Sequence, residues 1–147
     1  MTKTNECVFC KIVKMELPAH LVFEDKTVIA FLDIKPLNPG HTLVIPKKHY
    51  RWVWDIPEVG EYFESVRHVA IALQKAMKTE MIVSGISGVG ESKWMHAHTH
   101  LVPRFQGDGH GDFVNSRDAK DIPNEEMRDI AEKIREKCST RPNGATS

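Results

Sequence analysis

The stretch "WMHAHTHLVPRF", Trp94 to Phe105, sets His96, His98 and His100 at every second position. On an α-helix, residues two apart point about 200° from each other, whereas on a strand successive side chains alternate and positions i, i+2 and i+4 share one face. The three imidazoles converge only if the segment is extended. Leu101 and Val102 suit a strand, and Pro103 fits its end or an edge, where a missing N–H does least harm. The interleaved Met95, Ala97, Thr99 and Leu101 are mostly small or apolar, as expected of a face packed on a core. One side of this strand is predicted to be buried and the other to carry chemistry.

The segments around it supply its partners. "CVFCKIVKMELPAH" reads as a cysteine-bearing turn leading into a short helix that ends before Pro18. "LVFED" (21–25) and "TVIAFLDI" (27–34) are joined tightly enough to predict a hairpin, and the turn "KPLNPG" (35–40) delivers a third strand, "HTLVIPKK" (41–48). A long helix follows. Asp55 and Glu58 have capping-box spacing, and Val59, Tyr62, Phe63, Val66, Val69, Ala70, Leu73 and Met77 form a helical stripe that must pack on a sheet or on another subunit. "MIVSGIS" (81–87) is a fourth strand, "GVGESK" (88–93) a connector, and the histidine strand the fifth. "GDGHGD" (107–112) reads as a loop. Met127, Ile130, Ala131 and Ile134 predict a second amphipathic helix within about 121–138, and residues 139–147 read as a disordered tail. Five strands with hairpin connections and one long helix predict an α+β fold with a mainly antiparallel sheet, as one domain over 1–147 with its core at about 7–112.

Composition narrows the function. The chain has 147 residues, 41% hydrophobic and 27% charged, enough to bury a core; Lys plus Arg and Asp plus Glu balance at 20 each, so no global field recruits nucleic acid or an anionic membrane. An anionic ligand has to be held locally. No apolar run approaches a membrane span, and "MTKTNECVFC" lacks the apolar centre of a signal peptide, so a cytoplasmic location is expected. Three cysteines without an export signal argue against a disulfide framework.

Two chemical readings of the histidines stand open on spacing alone. They could ligate a catalytic metal, since H-x-H on a strand offers two nitrogens to zinc. Alternatively, one imidazole is a nucleophile and its neighbours bind phosphate or orient it. Cys7 and Cys10 bear on the choice. C-x-x-C can be a redox pair, half a zinc site or two buried apolar cysteines; only the six mostly polar residues "MTKTNE" precede Cys7, which disfavours the redox arrangement. A zinc site needs two more ligands, and His49 and His96, at the ends of strands predicted to be adjacent, are candidates. That leaves His98 and His100 for chemistry. Asp33, which ends an apolar strand, is either a strand-end cap or an acceptor for a ribose diol. Trp52 and Trp54 read as packing residues.

Together, "VFCKIV", "LPAHLVFEDKTVIAFLDIKPLNPGHTLVIPKKHY" and "HAHTHLVPRF" resemble the histidine triad (HIT) superfamily, in particular its bacterial Hint-like members with a C-x-x-C zinc site, over roughly residues 7 to 112. The resemblance implies the HIT-like fold and cleavage at the α-phosphorus of purine nucleoside phosphoramidates or dinucleoside polyphosphates through a nucleotidyl-histidine. It implies that His98 is the nucleophile, that His100 contacts phosphate oxygens, and that His41 supports the triad from the neighbouring strand. By the same likeness Asp33 binds the ribose, and Val8, Phe9, Ile12, Phe31, Ile34 and Leu43 form the slot for the base. Structural zinc on Cys7, Cys10, His49 and His96 and a homodimer are likewise implied. The sequence departs from the family where Gly-Gln-Ser/Thr often precedes the triad: Ser92 and Lys93 stand there, and Ser92 shares strand parity with the triad. The rival readings are a zinc metallohydrolase with the triad as ligands, and a nucleotide-binding module with weak catalysis.

Overall fold

A computed structural model of the chain describes residues 7–86, 95–112, 114 and 116–139. Five strands, β1 (Leu21–Glu24), β2 (Val28–Leu32), β3 (Thr42–Pro46), β4 (Ile82–Gly85) and β5 (Thr99–Pro103), form one sheet in the order β1-β2-β3-β5-β4. Every neighbouring pair is antiparallel. With α1 (Val8–Val13), α2 (Val59–Met77) and α3 (Asn124–Cys138) around it, this is the α+β architecture read from the sequence. No helix of the described residues is long and apolar enough to cross a membrane.

Strand alternation divides the core in two. Every residue of β2 and β3 is buried, because these central strands are covered on both faces. Val28, Ala30, Leu32, Val44 and Leu101 face α2 and α3, where Tyr62, Val66, Val69, Leu73, Met127, Ile130 and Ile134 cover them. Ile29, Phe31, Leu43 and Ile45 point the other way, against Ile12 and Phe9 of α1. Each fully buried aliphatic chain contributes roughly 1.5–3 kcal/mol, so the helical face holds the sheet while the thinner α1 face is left to carry a site. The tail helix belongs to that support: Met127, Ile130, Ala131, Ile134 and Cys138 are all buried in the larger core.

One polar tie pins α2 to the centre of the sheet. The Tyr62 hydroxyl donates to the Val44 carbonyl at 2.8 Å and accepts from the Thr99 hydroxyl at 2.6 Å. Burial pushes the Tyr62 phenol up to about 12, so it stays a donor.

Some local expectations are corrected. Asp55 and Glu58 do not form a capping box: α2 starts at Val59 with Glu58 as a cap residue whose side chain makes no cap bond. Asp55 instead closes a 3-10 turn, Val53–Asp55, its carboxylate accepting from Trp52 N–H at 3.3 Å. Trp54 does not pack; it is 71% exposed, since the 3-10 turn buries Val53 in its place. The predicted elements also run one to three residues long at several ends, where hydrogen bonding stops before the apolar pattern does. Residues 140–147, the connector 88–93 with Ser92 and Lys93, and Trp94 lie outside the described residues.

Candidate active site

The β3–β5 register builds the site. Leu43 faces His100 across the pair, and Thr42 faces Leu101, so His41, two residues before Leu43, shares the α1-side face and lies diagonal to His100. The rings meet: His41 Nε2 is 2.9 Å from His100 Nδ1. Gly40 brings the chain into His41 at φ +89°, where a Cβ would also lie 3.0 Å from Met77 Cγ and 3.1 Å from Pro103 Cγ. The positive φ favours glycine, and a Cβ would crowd the Met77 and Pro103 side chains.

The ladder of β5 begins at Thr99, but the extended run reaches back past it, with Ala97 N–H donating to Tyr50 O at 2.7 Å. All three triad rings fall on one side. His98 and His100 centroids are 5.0 Å apart, and the Phe9 ring is edge-on to both His96 (5.9 Å) and His98 (5.4 Å).

Hydrogen-bond accounting fixes the tautomer of each ring, because a carbonyl only accepts and a backbone N–H only donates. His96 Nε2 lies 2.7 Å from Pro46 O, so it carries the proton and Nδ1 keeps its lone pair. In His98, Nδ1 lies 2.7 Å from the carbonyl oxygen of His96, so Nδ1 is protonated and Nε2 is the lone-pair nitrogen. Leu37 N–H donates to His41 Nδ1 at 3.0 Å, so His41 Nε2–H donates to His100 Nδ1 and His100 carries its proton on Nε2. The His41 and His100 rings are neutral. Burial lowers His41 despite the opposing Asp33 charge, and burial, aided by His41 and His98, pushes His100 down to about 4. The 3.6 Å approach of Asp33 Oδ2 to His41 Nε2 is therefore not an ion pair. Asp33 also caps its own turn, with Oδ1 accepting from Lys35 N–H at 2.9 Å.

A second cluster lies beside the first. Cys7, Cys10, His49 and His96 bring one ligand atom each within 4.8 Å of one another. The sulfur-to-nitrogen distances are 3.5 Å for Cys7 to His96, 3.2 Å for Cys10 to His49 and 3.5 Å for Cys10 to His96. A tetrahedral zinc ion with two sulfur and two nitrogen ligands has such edges at about 3.5 Å, so the donor set fits a metal. The Pro46 bond of His96 turns the lone pair of Nδ1 toward the cysteines, the outer-sphere orientation usual for a ligating histidine. Burial lowers His49 and pushes His96 down to about 4, keeping both rings neutral, as ligation requires. Burial next to Cys7 pushes the Cys10 thiol up to about 12, so its ionisation calls for a cation.

The triad does not form one ligand set. Asp33, His41 and His100 make a separate group, but at 2.9 Å the facing ring nitrogens share a proton, closer than the roughly 3.3 Å edge two nitrogens keep around zinc. His98 belongs to neither group.

The residues expected to form the base slot divide. Ile12, Phe31 and Leu43 are buried together, and Phe9 stands edge-on to Phe31 at 5.5 Å. Val8 and Ile34, expected in the same slot, are instead 56% and 80% exposed and lie outside that buried cluster. Sequence reading missed Asn38, which is fully buried and donates to Pro103 O at 2.8 Å and Asp108 Oδ2 at 2.9 Å. It also missed Asp108, whose carboxylate Arg104 holds well below the usual range. The arginine and aspartate four residues apart in "RFQGD" were the available signal.

Known proteins resemble the chain in sequence and fold. The sequence profile of the HIT domain matches residues 14–107. An uncharacterized HIT-like protein of Methanocaldococcus jannaschii is 39% identical over 82% of this chain and 95% of its own. An adenosine 5′-monophosphoramidase of Saccharomyces cerevisiae is 39% identical over 67% of this chain and 62% of its own. Among solved structures, a Zn-bound histidine triad family protein from Mycobacterium smegmatis superimposes with a TM-score of 0.74 at 29% identity, covering 92% of this chain and 95% of the other. With a match over more than half its length and relatives at this level of identity, the chain belongs to the HIT domain family.

Proposed function

We propose that the protein is a nucleotide hydrolase or nucleotidyltransferase that cleaves purine nucleoside phosphoramidates, or dinucleoside polyphosphates, at the α-phosphorus through a nucleotidyl-histidine on His98. The observation that carries this reading is the 2.7 Å bond from His98 Nδ1 to the backbone carbonyl of His96, which commits the lone pair of the ring to Nε2. A nucleophile needs such a fixed tautomer, and a hydrogen bond on the far nitrogen stabilises the cation formed on attack.

The steps follow from the tautomers. Nε2 of His98 attacks the α-phosphorus, and the P–N bond to the leaving amine breaks with its electron pair; the amine takes a proton from solvent. Water then attacks the same phosphorus, loses a proton and frees His98. His100 directs its Nε2–H at a phosphate oxygen, held there by His41, whose own orientation Leu37 N–H sets. A donor aimed at developing charge in a buried site is worth about 10²–10³ in rate. Asp33 accepts from the ribose, and Phe9, Ile12, Phe31 and Leu43, with the exposed Val8 and Ile34, hold the base; Ser92 is the candidate to assist the leaving group.

Cys7, Cys10, His49 and His96 hold structural zinc, which when bound supplies a cross-link between α1, the end of β3 and the start of the triad. The Zn-bound relative and the tetrahedral spacing of the donors support this. A homodimer is supported by β4, an edge strand among the described residues, and by Phe63, an exposed aromatic on α2. The monophosphoramidase among the relatives favours an amine leaving group.

Rapid mixing with adenosine 5′-phosphoramidate, acid quench and intact mass spectrometry tests the proposal. A nucleotidyl adduct is expected in the wild type and not in His98→Gly. An adduct that persists in His98→Gly overturns it.

A further inference from the structure

We infer that His110 is a positioning residue for the reacting centre, acting with Lys120 through the backbone of Leu37; this rests on the roles proposed above for His41 and His100. His110 Nε2 lies 2.7 Å from Leu37 O, so Nε2 carries the ring proton and donates. Lys120 N–H donates to Pro36 O at 2.6 Å. Both carbonyls flanking Leu37 are thus held by the segment that follows the triad. Between them lies the N–H that donates to His41 Nδ1 at 3.0 Å.

Pro36 C=O and Leu37 N–H belong to one peptide group, and a hydrogen bond accepted at its oxygen strengthens its N–H as a donor. The run continues from Lys120 N–H through that peptide to His41, from His41 Nε2–H to His100 Nδ1 at 2.9 Å, and out through His100 Nε2–H to the substrate. The segment that imposes this order is itself firmly held. Asp108 accepts from Arg104 Nε at 2.7 Å, from Asn38 Nδ2 at 2.9 Å and from the N–H groups of Phe105 and His110 at 3.1 and 3.0 Å. Lys120 Nζ donates to Asp108 O at 2.7 Å.

A second observation separates this role from simple filling of space. His110 Nδ1 is buried and has no hydrogen-bond partner among the described residues. A buried unpartnered nitrogen costs stability, and an apolar side chain would fill the place without that cost. What the imidazole adds is the N–H directed at Leu37.

The test compares His110→Gln, which keeps a side-chain N–H donor, with His110→Met, which has similar reach and none. In His110→Met, kcat for adenosine 5′-phosphoramidate should fall about tenfold with KM within about twofold, as when the partner orienting a ligating or reacting ring is lost. His110→Gln should recover most of it. In parallel, long-range proton–nitrogen spectra of 15N-histidine-labelled protein should show His41 as the Nε2–H tautomer in the wild type and in His110→Gln, and as a mixture in His110→Met. Unchanged kcat and tautomer in a folded His110→Met overturn the inference, as does failure of His110→Gln to recover either. If His110→Met does not fold, a wild-type His41 of mixed tautomer overturns it, and a single Nε2–H form that becomes mixed in His110→Gln does the same. Absence of turnover in the wild type would refute the proposed reaction, while the spectra would still decide the positioning.

Discussion

His96 and His98 stand two residues apart on the same extended run, on the same side, with the same Phe9 ring against both. Their surroundings make them different reagents. His96 is 2% exposed, and its Nε2–H is drawn off by Pro46 O so that Nδ1 faces two sulfurs. His98 is half-buried, gives Nδ1–H to the backbone just behind it, and keeps its lone pair on Nε2. The contrast teaches that the spacing of a histidine motif supplies rings on a face, while the carbonyl each ring finds decides which nitrogen is left to react.

The sharpest way to break this comparison is to remove each ring in turn. His98→Gly should lower turnover by roughly 10³-fold or more, with the thermal midpoint within about 2 °C of wild type. His96→Ala should do the reverse first, lowering the midpoint by about 10 °C or more as the cross-link of the N-terminal turn is lost. Calorimetry and steady-state rates on both variants decide it, and equal loss of stability in the two would erase the distinction. Metal removal by a chelator should reproduce the His96→Ala shift, with activity and fold failing together. Activity lost at an unchanged midpoint would instead favour a metal used in catalysis.

His100→Gln sharpens the reading of the other cluster, Asp33, His41 and His100. It should reduce kcat by about 10²-fold while nucleotide binding, measured by calorimetric titration, changes little.

A smaller effect is expected from pH. His100 is pushed from 6.5 to about 4 on folding, so between those values the unfolded chain binds the extra proton. Stability should therefore rise with pH across that window and fall as the solution is acidified through it. Denaturant midpoints measured at intervals from pH 4 to 7 should show a slope that becomes shallower in His100→Gln, the remainder including the share of His96, which burial pushes down likewise.

The smallest effect concerns the other side of the same strand. Thr99 lies between His98 and His100 but faces Tyr62. Tyr62→Phe should cost about 1–2 kcal/mol, read as a lower denaturant midpoint, and leave kcat nearly unchanged. A large fall in kcat would mean that the two faces of the strand are not independent.

Much of this was legible along the chain because it depends on local pattern. Period-two spacing of His96, His98 and His100 needs only a strand to bring the rings to one face. The unbroken apolar runs of β2 and β3 mark strands covered on both sides, and the α2 stripe marks the helix that covers one of them. Other features were not legible. Trp54 carries the side chain of a core residue yet stands in solvent, because the 3-10 turn at its position buries Val53 instead. Asp55 and Glu58 have the spacing of a cap, but the chain turns before the helix begins. Asn38, Asp108 and His110 read as turn chemistry, and only contacts across some 65 to 73 residues show that they bind the turn before His41 to the chain after the triad.

The sequence by itself determined the order and type of the main elements and the shared face of the three imidazoles, since these follow from periodicity, and it offered Cys7, Cys10, His49 and His96 as candidate metal ligands. The tertiary structure alone decided which nitrogen of each histidine carries the proton. That choice depends on Pro46 O, Leu37 N–H and the backbone of His96 lying within about 3 Å of particular ring atoms, and no pattern along one chain states a distance between strands.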